Sequence, residues 1–194
     1  MQRFGTDIQK LFDACNRCFP INTVLNLGLR IIDVLEYIHD KQYVHADIKG
    51  SNLLLGFGKG KEKENEVWLV DFGLACRYSN DGVHKEYKPD IRKAHNGTIE
   101  FTSRDAHIGG QNLFQPFLFV SYCWLSIDFS LTANSRRGDF EILGYNLLQW
   151  LCGRLPWEDK LSDTEYVAAQ KNKYMSNIPL LIKQCFSTKS PPGA

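Results

Sequence analysis

Apolar residues recur at helical spacing along the beginning of the chain. A capping-box pattern, Thr6-x-x-Gln9, starts the first apolar stripe and predicts an amphipathic helix over residues 6–19, which Pro20 closes. Asn22 or Thr23 is suited to cap a second helix that runs to about residue 40. Because apolar residues cover most sides of this second helix, we expect it to be buried.

Further helices are predicted in the last part of the chain. Ser135 precedes a stretch that is apolar around most of its circumference up to about Cys152, which predicts a second buried helix. A polar helix is predicted over residues 162–174, and a short one follows from Ile178. Residues 187–194 are rich in proline and are interpreted as a loose tail.

Two short apolar runs of strand length, residues 53–55 and 67–70, predict a β-hairpin. The glycine-rich, charged stretch 58–65 joins them. Its Gly58-x-Gly60 is a weak match to a phosphate-binding loop, because Lys63 stands where a third glycine is needed. We therefore interpret residues 58–65 as a turn.

Size and composition favour one domain. An apolar share of 43% in 194 residues is sufficient for a core without disulfides or structural metals. The net charge of +1, from 23 basic and 22 acidic residues, gives no overall attraction to nucleic acid or to an anionic membrane. Cys15 and Cys18 form the one close cysteine pair in the sequence and lack the partners of a zinc site. With no apolar signal segment at Met1, we expect an intracellular protein.

Two polar motifs flank the predicted hairpin and carry the candidate chemistry. The first is His45-x-Asp47-x-Lys49-x-x-Asn52, and the second is Asp71-Phe72-Gly73. Phosphoryl transfer needs a carboxylate near the attacking hydroxyl, a cation near the phosphate and oxygen ligands for magnesium. The alternative is that the motifs are two polar turns that bracket strands. The candidates for the chemical roles are Asp47, Lys49, Asn52 and Asp71.

Together the two motifs resemble the catalytic and metal-binding loops of eukaryotic protein kinases. The resemblance implies that Asp47 is the catalytic acid/base, which accepts or orients the proton of the substrate hydroxyl. It implies that Lys49 neutralises the γ-phosphate of ATP, and that Asn52 and Asp71 hold Mg²⁺. ATP and Mg²⁺ are thus the expected cofactors.

Two residues outside the motifs also match this resemblance. Thr98 of the Gly97-Thr98 pair matches the threonine that, in serine/threonine kinases, bonds the catalytic acid and lysine. The match favours serine or threonine over tyrosine as the acceptor. Asp139 matches the aspartate that fixes the backbone of the catalytic loop, whereas His45 and Phe72 are interpreted as packing residues.

The sequences after Gly97 and after Ser135 narrow the resemblance to the casein kinase superfamily. Within it the chain is similar to the vaccinia-related kinases, on segments that include Arg3-Phe4-Gly5, 35–39, 82–87 and Leu155-Pro156-Trp157-Glu158. Ala46 stands where many kinases have an arginine, so no partner for an activation-loop phosphate exists at that position. We expect a constitutively poised enzyme.

The fold implied by this resemblance is mainly α with a short β-hairpin. It is the C-terminal, large lobe of a protein kinase, truncated at both ends and carrying an insertion before the central helix of Asp139. Residues 1–194 would form this partial kinase domain. The glycine-rich loop and the strand lysine that grip ATP in kinases belong to the small lobe, and the sequence contains neither of them. We therefore expect little or no phosphotransferase activity from the chain alone.

The insertion, residues 110–134, differs from the rest of the chain in composition. No charged residue occurs over residues 108–127, and aromatic residues crowd together there. A membrane span, a hydrophobic loop that binds a partner and a translated non-coding segment are the three interpretations, of which we favour the last. Two arguments oppose a membrane span. Polar residues dilute the stretch, and a span would pull the predicted catalytic loop away from the helix of Asp139.

Two functions of different classes follow. The first is a serine/threonine protein kinase that acts on basic or chromatin-associated proteins in the nucleus or cytoplasm, as the family resemblance implies. The second is a catalytically silent binding module derived from a kinase lobe. No direct nucleic acid site is evident, we expect no membrane span, and the sequence leaves the oligomeric state open.

Overall fold

The described part of the chain has a helical core and three small antiparallel sheets. The computed structural model describes residues 3–58, 66–80, 82–85, 97–108 and 135–187. The helices of this part of the chain are α1 (Ile8–Ala14), α2 (Ile21–Asp40), α3 (Arg104–Ile108), α4 (Arg136–Cys152), α5 (Thr164–Met175) and α6 (Ile178–Cys185). Its strands are β1 (Phe4–Asp7), β2 (Tyr43–Val44), β3 (Leu53–Gly56), β4 (Val67–Leu69), β5 (Cys76–Arg77), β6 (Ser79–Asn80) and β7 (Val83–His84).

The core forms where α2 packs against α4. A Cβ atom on Gly28 of α2 would lie 3.2 Å from Leu147 Cδ2 of α4, so the small residue allows the two helices to approach closely. Both helices were predicted, and α4 begins after Ser135, whose Oγ accepts a hydrogen bond from Gly138 N. The expectation that α2 is buried on most sides is wrong. Leu25 and Leu29 are 57% and 62% exposed, because only the face toward α4 and the sheet meets the core.

The predicted hairpin is present and belongs to a larger sheet. Strands β3 and β4 pair in the register Leu53↔Leu69 and Leu55↔Val67. Strand β1 pairs with the other edge of β3, so the sheet order is β1-β3-β4. A Cβ atom on Gly5 would lie 2.9 Å from Gly56 O, which explains the glycine at this position.

The prediction of a helix over residues 6–19 is wrong at both ends, and its start is wrong because this third strand includes residues 6 and 7. Residues 4–7 are a strand, and α1 starts at Ile8 with Asp7 as its N-cap, which accepts a hydrogen bond from Lys10 N at 2.8 Å. The helix ends at Ala14, and Asn16 and Arg17 follow with φ of 54°. The capping-box pattern at Thr6 was thus misleading, because pairing with β3 holds that residue in a strand.

The last helices occur where they were predicted. Asp163 caps α5, and Asn177 caps α6. The interpretation of residues 110–134 as an insertion lies outside the described residues. So does that of residues 187–194 as a loose tail, apart from Ser187, which follows α6 in a turn. Within the described ranges, no helix combines the length and the apolar character that crossing a bilayer requires.

Candidate active site

The backbone after β2 is held by one buried carboxylate. Asp139, near the start of α4, is 1% exposed. Its Oδ2 accepts hydrogen bonds from His45 N and from His39 Nε2, each at 2.9 Å, and its Oδ1 accepts one from Ala46 N at 2.8 Å. These contacts tie residues 45 and 46 to the central helix, as the family resemblance implied for Asp139.

The segment contains a backbone conformation that side chains rarely adopt. Ala46 has φ of 68°, in the left-handed region. Such a residue persists only where its surroundings over-determine it, which the bond from Ala46 N to Asp139 does here. Gly97 packs on the other side of the peptide, since a Cβ atom there would lie 2.9 Å from Ala46 O. Close approach therefore requires glycine before Thr98.

Asp47 lies at the centre of a hydrogen-bond network. Its Oδ1 accepts from Thr98 Oγ1 at 2.9 Å and from Thr98 N at 3.1 Å. Its Oδ2 accepts from Lys49 Nζ at 2.8 Å and from Asn52 Nδ2 at 3.2 Å. Burial favours the neutral acid, but the bonds from Lys49 and Thr98 outweigh it and hold the pKa of Asp47 below its usual range. Asp47 is therefore a carboxylate at neutral pH.

Lys49 and Thr98 complete the network. Lys49 Nζ donates to Thr98 Oγ1 at 2.9 Å as well as to Asp47. Thr98 Oγ1 thus accepts from the ammonium and donates to the carboxylate. The structure brings together all three predicted catalytic residues, Asp47, Lys49 and Thr98.

The two predicted metal ligands lie on neighbouring segments. Val70 N donates to Asn52 O at 2.9 Å, so the residue immediately before Asp71 is bonded to Asn52. Asn52 uses Nδ2 for both of its side-chain bonds, to Asp47 O and Oδ2, which leaves Oδ1 for a cation. Asp71 is exposed and adopts a left-handed conformation, with Oδ1 accepting from Gly73 N.

These groups fit magnesium. Mg²⁺ prefers oxygen ligands and takes one or two from the protein, with the rest from phosphates and water. Asn52 and Asp71 would supply one amide oxygen and one carboxylate. In the described part of the chain no three His, Cys, Asp or Glu residues come together as a metal site, so a dedicated protein cage is not the arrangement seen there.

His45 links the two motifs by packing. Its ring contacts Phe72, with ring centroids 4.9 Å apart. Burial lowers its pKa against the opposing effects of Asp139, Asp47 and Asp71, so the ring is neutral at pH 7. In that state Nε2–H donates to Val70 O and Nδ1 accepts from Asp47 N. The interpretation of His45 and Phe72 as packing residues agrees with these contacts.

Sequence reasoning missed three polar residues around the site, the buried His39 and Lys171 and the partly buried Glu100. His39 interrupts the apolar face of α2, which is a signal that a buried polar partner exists. Lys171 lies in a helix that the sequence shows as polar, so nothing marked it as buried. Glu100 was part of the motif after Gly97 but carried no assigned role.

Glu100 shares a partly buried amide with a second carboxyl group. Gln149 Nε2 donates to Glu100 Oε1 and to Glu158 Oε1, and Leu155 N also donates to Glu158. Burial, together with the hydrogen bond and negative charge of Glu158, raises the pKa of Glu100 to about 8, against a smaller lowering by Arg17 and Gln149. Glu100 is thus protonated in the folded protein at neutral pH.

Stability should therefore decrease as pH rises from about 5 to about 8. Because the folded state binds a proton that the unfolded state has lost in this window, each rise in pH favours unfolding. Glu100→Gln removes the titrating group, and we expect a flatter curve and a gain of about 1 kcal/mol at pH 8. Urea unfolding between pH 5 and 8 measures this. Glu165→Gln, at an exposed site on α5, is the matched control; equal slopes for wild type and Glu100→Gln would contradict the prediction.

Asp47 bonded to Lys49 and Thr98, with Asn52 and Asp71 on neighbouring segments, is the arrangement expected of a protein kinase. The Protein kinase domain family model matches residues 5–104. Serine/threonine-protein kinase VRK2 of Homo sapiens is 46% identical over 179 residues, covering 92% of this chain and 30% of that protein. Nucleosomal histone kinase 1 of Drosophila melanogaster is 39% identical over 99% of this chain and 28% of its own length. The B1 kinase of vaccinia virus (strain Western Reserve) is 34% identical over 94% of this chain and 53% of its own length.

The chain belongs to the vaccinia-related family of serine/threonine protein kinases. Kinases of this kind generally use ATP and Mg²⁺. The chain spans less than a third of the two animal relatives and about half of the viral one.

Proposed function

We propose that this chain carries the catalytic loop of a protein kinase that transfers the γ-phosphate of ATP to serine or threonine hydroxyls of proteins. The observation that carries the proposal is the network in which Asp47 contacts Lys49, Thr98 and Asn52. In it a cation and a potential metal ligand each lie within hydrogen-bond distance of the same base.

Asp47 orients the attacking hydroxyl and accepts its proton. All four acceptor positions of its carboxylate are used, two by Thr98, one by Lys49 and one by Asn52. A substrate hydroxyl must therefore displace one of these donors. We infer that the displaced donor is Lys49, because its ammonium can instead bind the transferred phosphate. When the ammonium turns away from Asp47, one acceptor position on Oδ2 becomes free for the substrate hydroxyl.

Asn52 and Asp71 hold the metal in this proposal. A magnesium ion bound there would neutralise charge on the phosphates of ATP. Asn52 presents Oδ1 because its Nδ2 is fixed by Asp47, and Asp71 retains Oδ2 while Oδ1 contacts Gly73. These two side chains would thus be the protein groups that hold the cation.

Transfer by the chain alone should be slow. Asp47, Lys49, Asn52 and Asp71 act on the reacting phosphate from one side, and the described residues contain no glycine-rich loop that covers it. Purified chain, labelled ATP, Mg²⁺ and a histone mixture test the proposal. We expect slow labelling confined to serine and threonine. Label on tyrosine would overturn the choice of acceptor, and magnesium-dependent ATP binding without any transfer would favour a catalytically silent binding module.

The acceptor class rests on the relatives. Nucleosomal histone kinase 1 is named for a basic chromatin protein, and we propose basic or chromatin-associated substrates for this chain, with nuclear or cytoplasmic placement. An acidic acceptor protein offered at the same concentration is the comparison. Equal labelling of the two acceptors would contradict a preference for basic substrates.

Asp71→Asn should weaken ATP binding in the presence of Mg²⁺ by at least about tenfold, because it removes the one charged ligand proposed for the metal. Affinity for a fluorescent ATP analogue, with Mg²⁺ and with a chelator, measures the effect. Asp33→Asn, at an exposed site on α2, is the control. The two variants should bind alike in the chelator, and equal weakening under both conditions would contradict a metal-ligand role.

A further inference from the structure

Lys171 of α5 is completely buried, with 0% of its surface exposed. Its Nζ donates to Ile99 O at 2.8 Å and to Thr102 O at 2.7 Å. The same atom lies 5.2 Å and 5.6 Å from the ring centroids of Tyr145 and Trp157. Burying an ammonium is costly, so a lysine at this depth needs such partners to compensate.

The charges around Lys171 come from three directions. Burial lowers the pKa of Lys171 to about 7, against the opposing effect of the negative charge of Glu141 of α4 and, once it has lost its proton, of Glu100 in the segment before α3. His107 of α3 presents Nε2 at 3.4 Å. Whether charged or neutral, Nζ keeps at least two N–H groups, so it donates to both carbonyls in either state. Its hold on them does not require a particular protonation state.

The two carbonyls belong to a tight turn, residues 98–102. Within the turn, Phe101 N and Thr102 N donate to Thr98 O at 2.8 and 2.9 Å. Trp157 Nε1 donates to Glu100 O at 2.8 Å. Donors from outside the turn therefore hold its carbonyls at positions 99, 100 and 102, and Lys171 supplies two of these three bonds.

The turn starts at the residue that contacts the catalytic acid. Thr98 donates to Asp47 through both its backbone N and its Oγ1 and accepts from Lys49. A displacement of the turn by a few tenths of an ångström would lengthen these bonds. The position of Thr98 relative to Asp47 thus depends on what holds the far side of the turn.

We propose that Lys171 is a positioning residue for phosphoryl transfer, which fixes the 98–102 turn and through Thr98 the orientation of Asp47 and Lys49. The proposal rests on the proposed function of Asp47, but the contacts that it invokes are independent of that function. Lys171 touches none of the reacting groups itself. It acts from α5, which follows the turn by about 70 residues in the sequence.

The alternative is that Lys171 only fills space. A methionine has a similar length and no N–H, and replacing a buried charge by an apolar group of similar volume is often neutral or stabilising. A space-filling role thus predicts that Lys171→Met leaves the turn and the site unchanged. Positioning predicts a local loss of order in the turn and a change in catalysis.

Hydrogen exchange tests whether Lys171 fixes the 98–102 turn, and this measurement does not depend on enzymatic activity. In Lys171→Met, the amides of Phe101 and Thr102 should exchange about tenfold faster, whereas amides in the middle of α4 keep their rates. Lys173→Met, two residues away on the exposed side of α5, is the matched control and should change neither. Unchanged exchange at Phe101 and Thr102, or equal acceleration throughout the chain, would overturn the proposal.

A double-mutant cycle tests whether Lys171 affects phosphoryl transfer through Thr98. Lys171→Met should lower kcat for transfer about tenfold with little change in the KM for ATP, and Thr98→Ala should lower it similarly. If Lys171 acts through Thr98, the double variant loses less than about twofold more than Thr98→Ala alone. Multiplicative losses would overturn the route through Thr98. Retained transfer in Asp47→Asn would instead contradict the proposed function, whatever the exchange rates are.

Lys171→Arg keeps a buried cation with N–H donors. If Lys171→Met does not fold, this variant tests instead whether residue 171 positions the 98–102 turn. Its larger head group must shift the turn slightly, so exchange at Phe101 and Thr102 and the loss in kcat should rise together by about threefold. Faster exchange with unchanged kcat would overturn the proposal.

Discussion

Asp47→Asn is expected to slow phosphoryl transfer by about a thousandfold, with the KM for ATP changed by less than about threefold. The asparagine keeps the shape of the side chain and still accepts from Thr98 through one oxygen. Its amide, however, presents N–H groups to the ammonium of Lys49 and cannot take the proton of the substrate hydroxyl. Initial rates with labelled ATP and a serine-containing basic acceptor measure the effect.

Asp33→Asn, exposed on α2, should transfer at the wild-type rate and controls for the change of charge. Thermal unfolding of both variants shows whether they are folded at the assay temperature. A rate in Asp47→Asn above about a tenth of the wild-type value would contradict the role of catalytic acid/base, since general acid–base contributions are at least about a hundredfold.

Asp139→Ala is expected to lower the free energy of unfolding by about 3–5 kcal/mol. The substitution leaves His45 N, Ala46 N and His39 Nε2 buried without the oxygens that accept from them. It also removes the contact that maintains the left-handed backbone of Ala46. Urea unfolding at pH 7 measures the loss.

Asp159→Ala provides the comparison for this variant. Asp159 pairs with Arg154 at 2.6 Å, but the two side chains are 70% and 58% exposed. An exposed pair contributes at most about 1 kcal/mol because water screens it. If Asp139→Ala and Asp159→Ala lowered the free energy of unfolding equally, the large contribution expected from the three bonds to Asp139 would be contradicted.

Apolar periodicity predicted α2 and α4 because each of them has a long apolar stripe of its own, whereas α5 was predicted as a polar helix. The boundaries predicted for α2, α4 and α5 lie within about three residues of those seen. Strand β1 could not be predicted in the same way. Phe4–Asp7 is extended because it pairs with β3, which lies about fifty residues further along the chain, and a local capping pattern at Thr6 competes with that pairing.

The same distinction applies to the site. Asp47, Lys49, Asn52 and Asp71 could be proposed from the sequence because they lie in two short motifs whose spacing is local. Thr98 and Asp139 were found through the resemblance, and the structure shows that they contact the catalytic loop. Lys171 lies in a polar helix, and its burial depends on how α5 packs against residues 99 and 102. No local pattern contains that information.

The order in which the chain is made affects when the site can form. Asp139 follows His45 by 94 residues, and Lys171 follows Ile99 by 72. At a synthesis rate of about 5–20 residues per second, residues 45–52 wait roughly 5–20 s for the carboxylate that holds them. During translation the catalytic loop is therefore present but unsupported, with no partner for Ala46 N. Arrival of α4 and α5 then fixes the loop, so residues 45–52 reach their folded arrangement only after Asp139 and Lys171 have been synthesised.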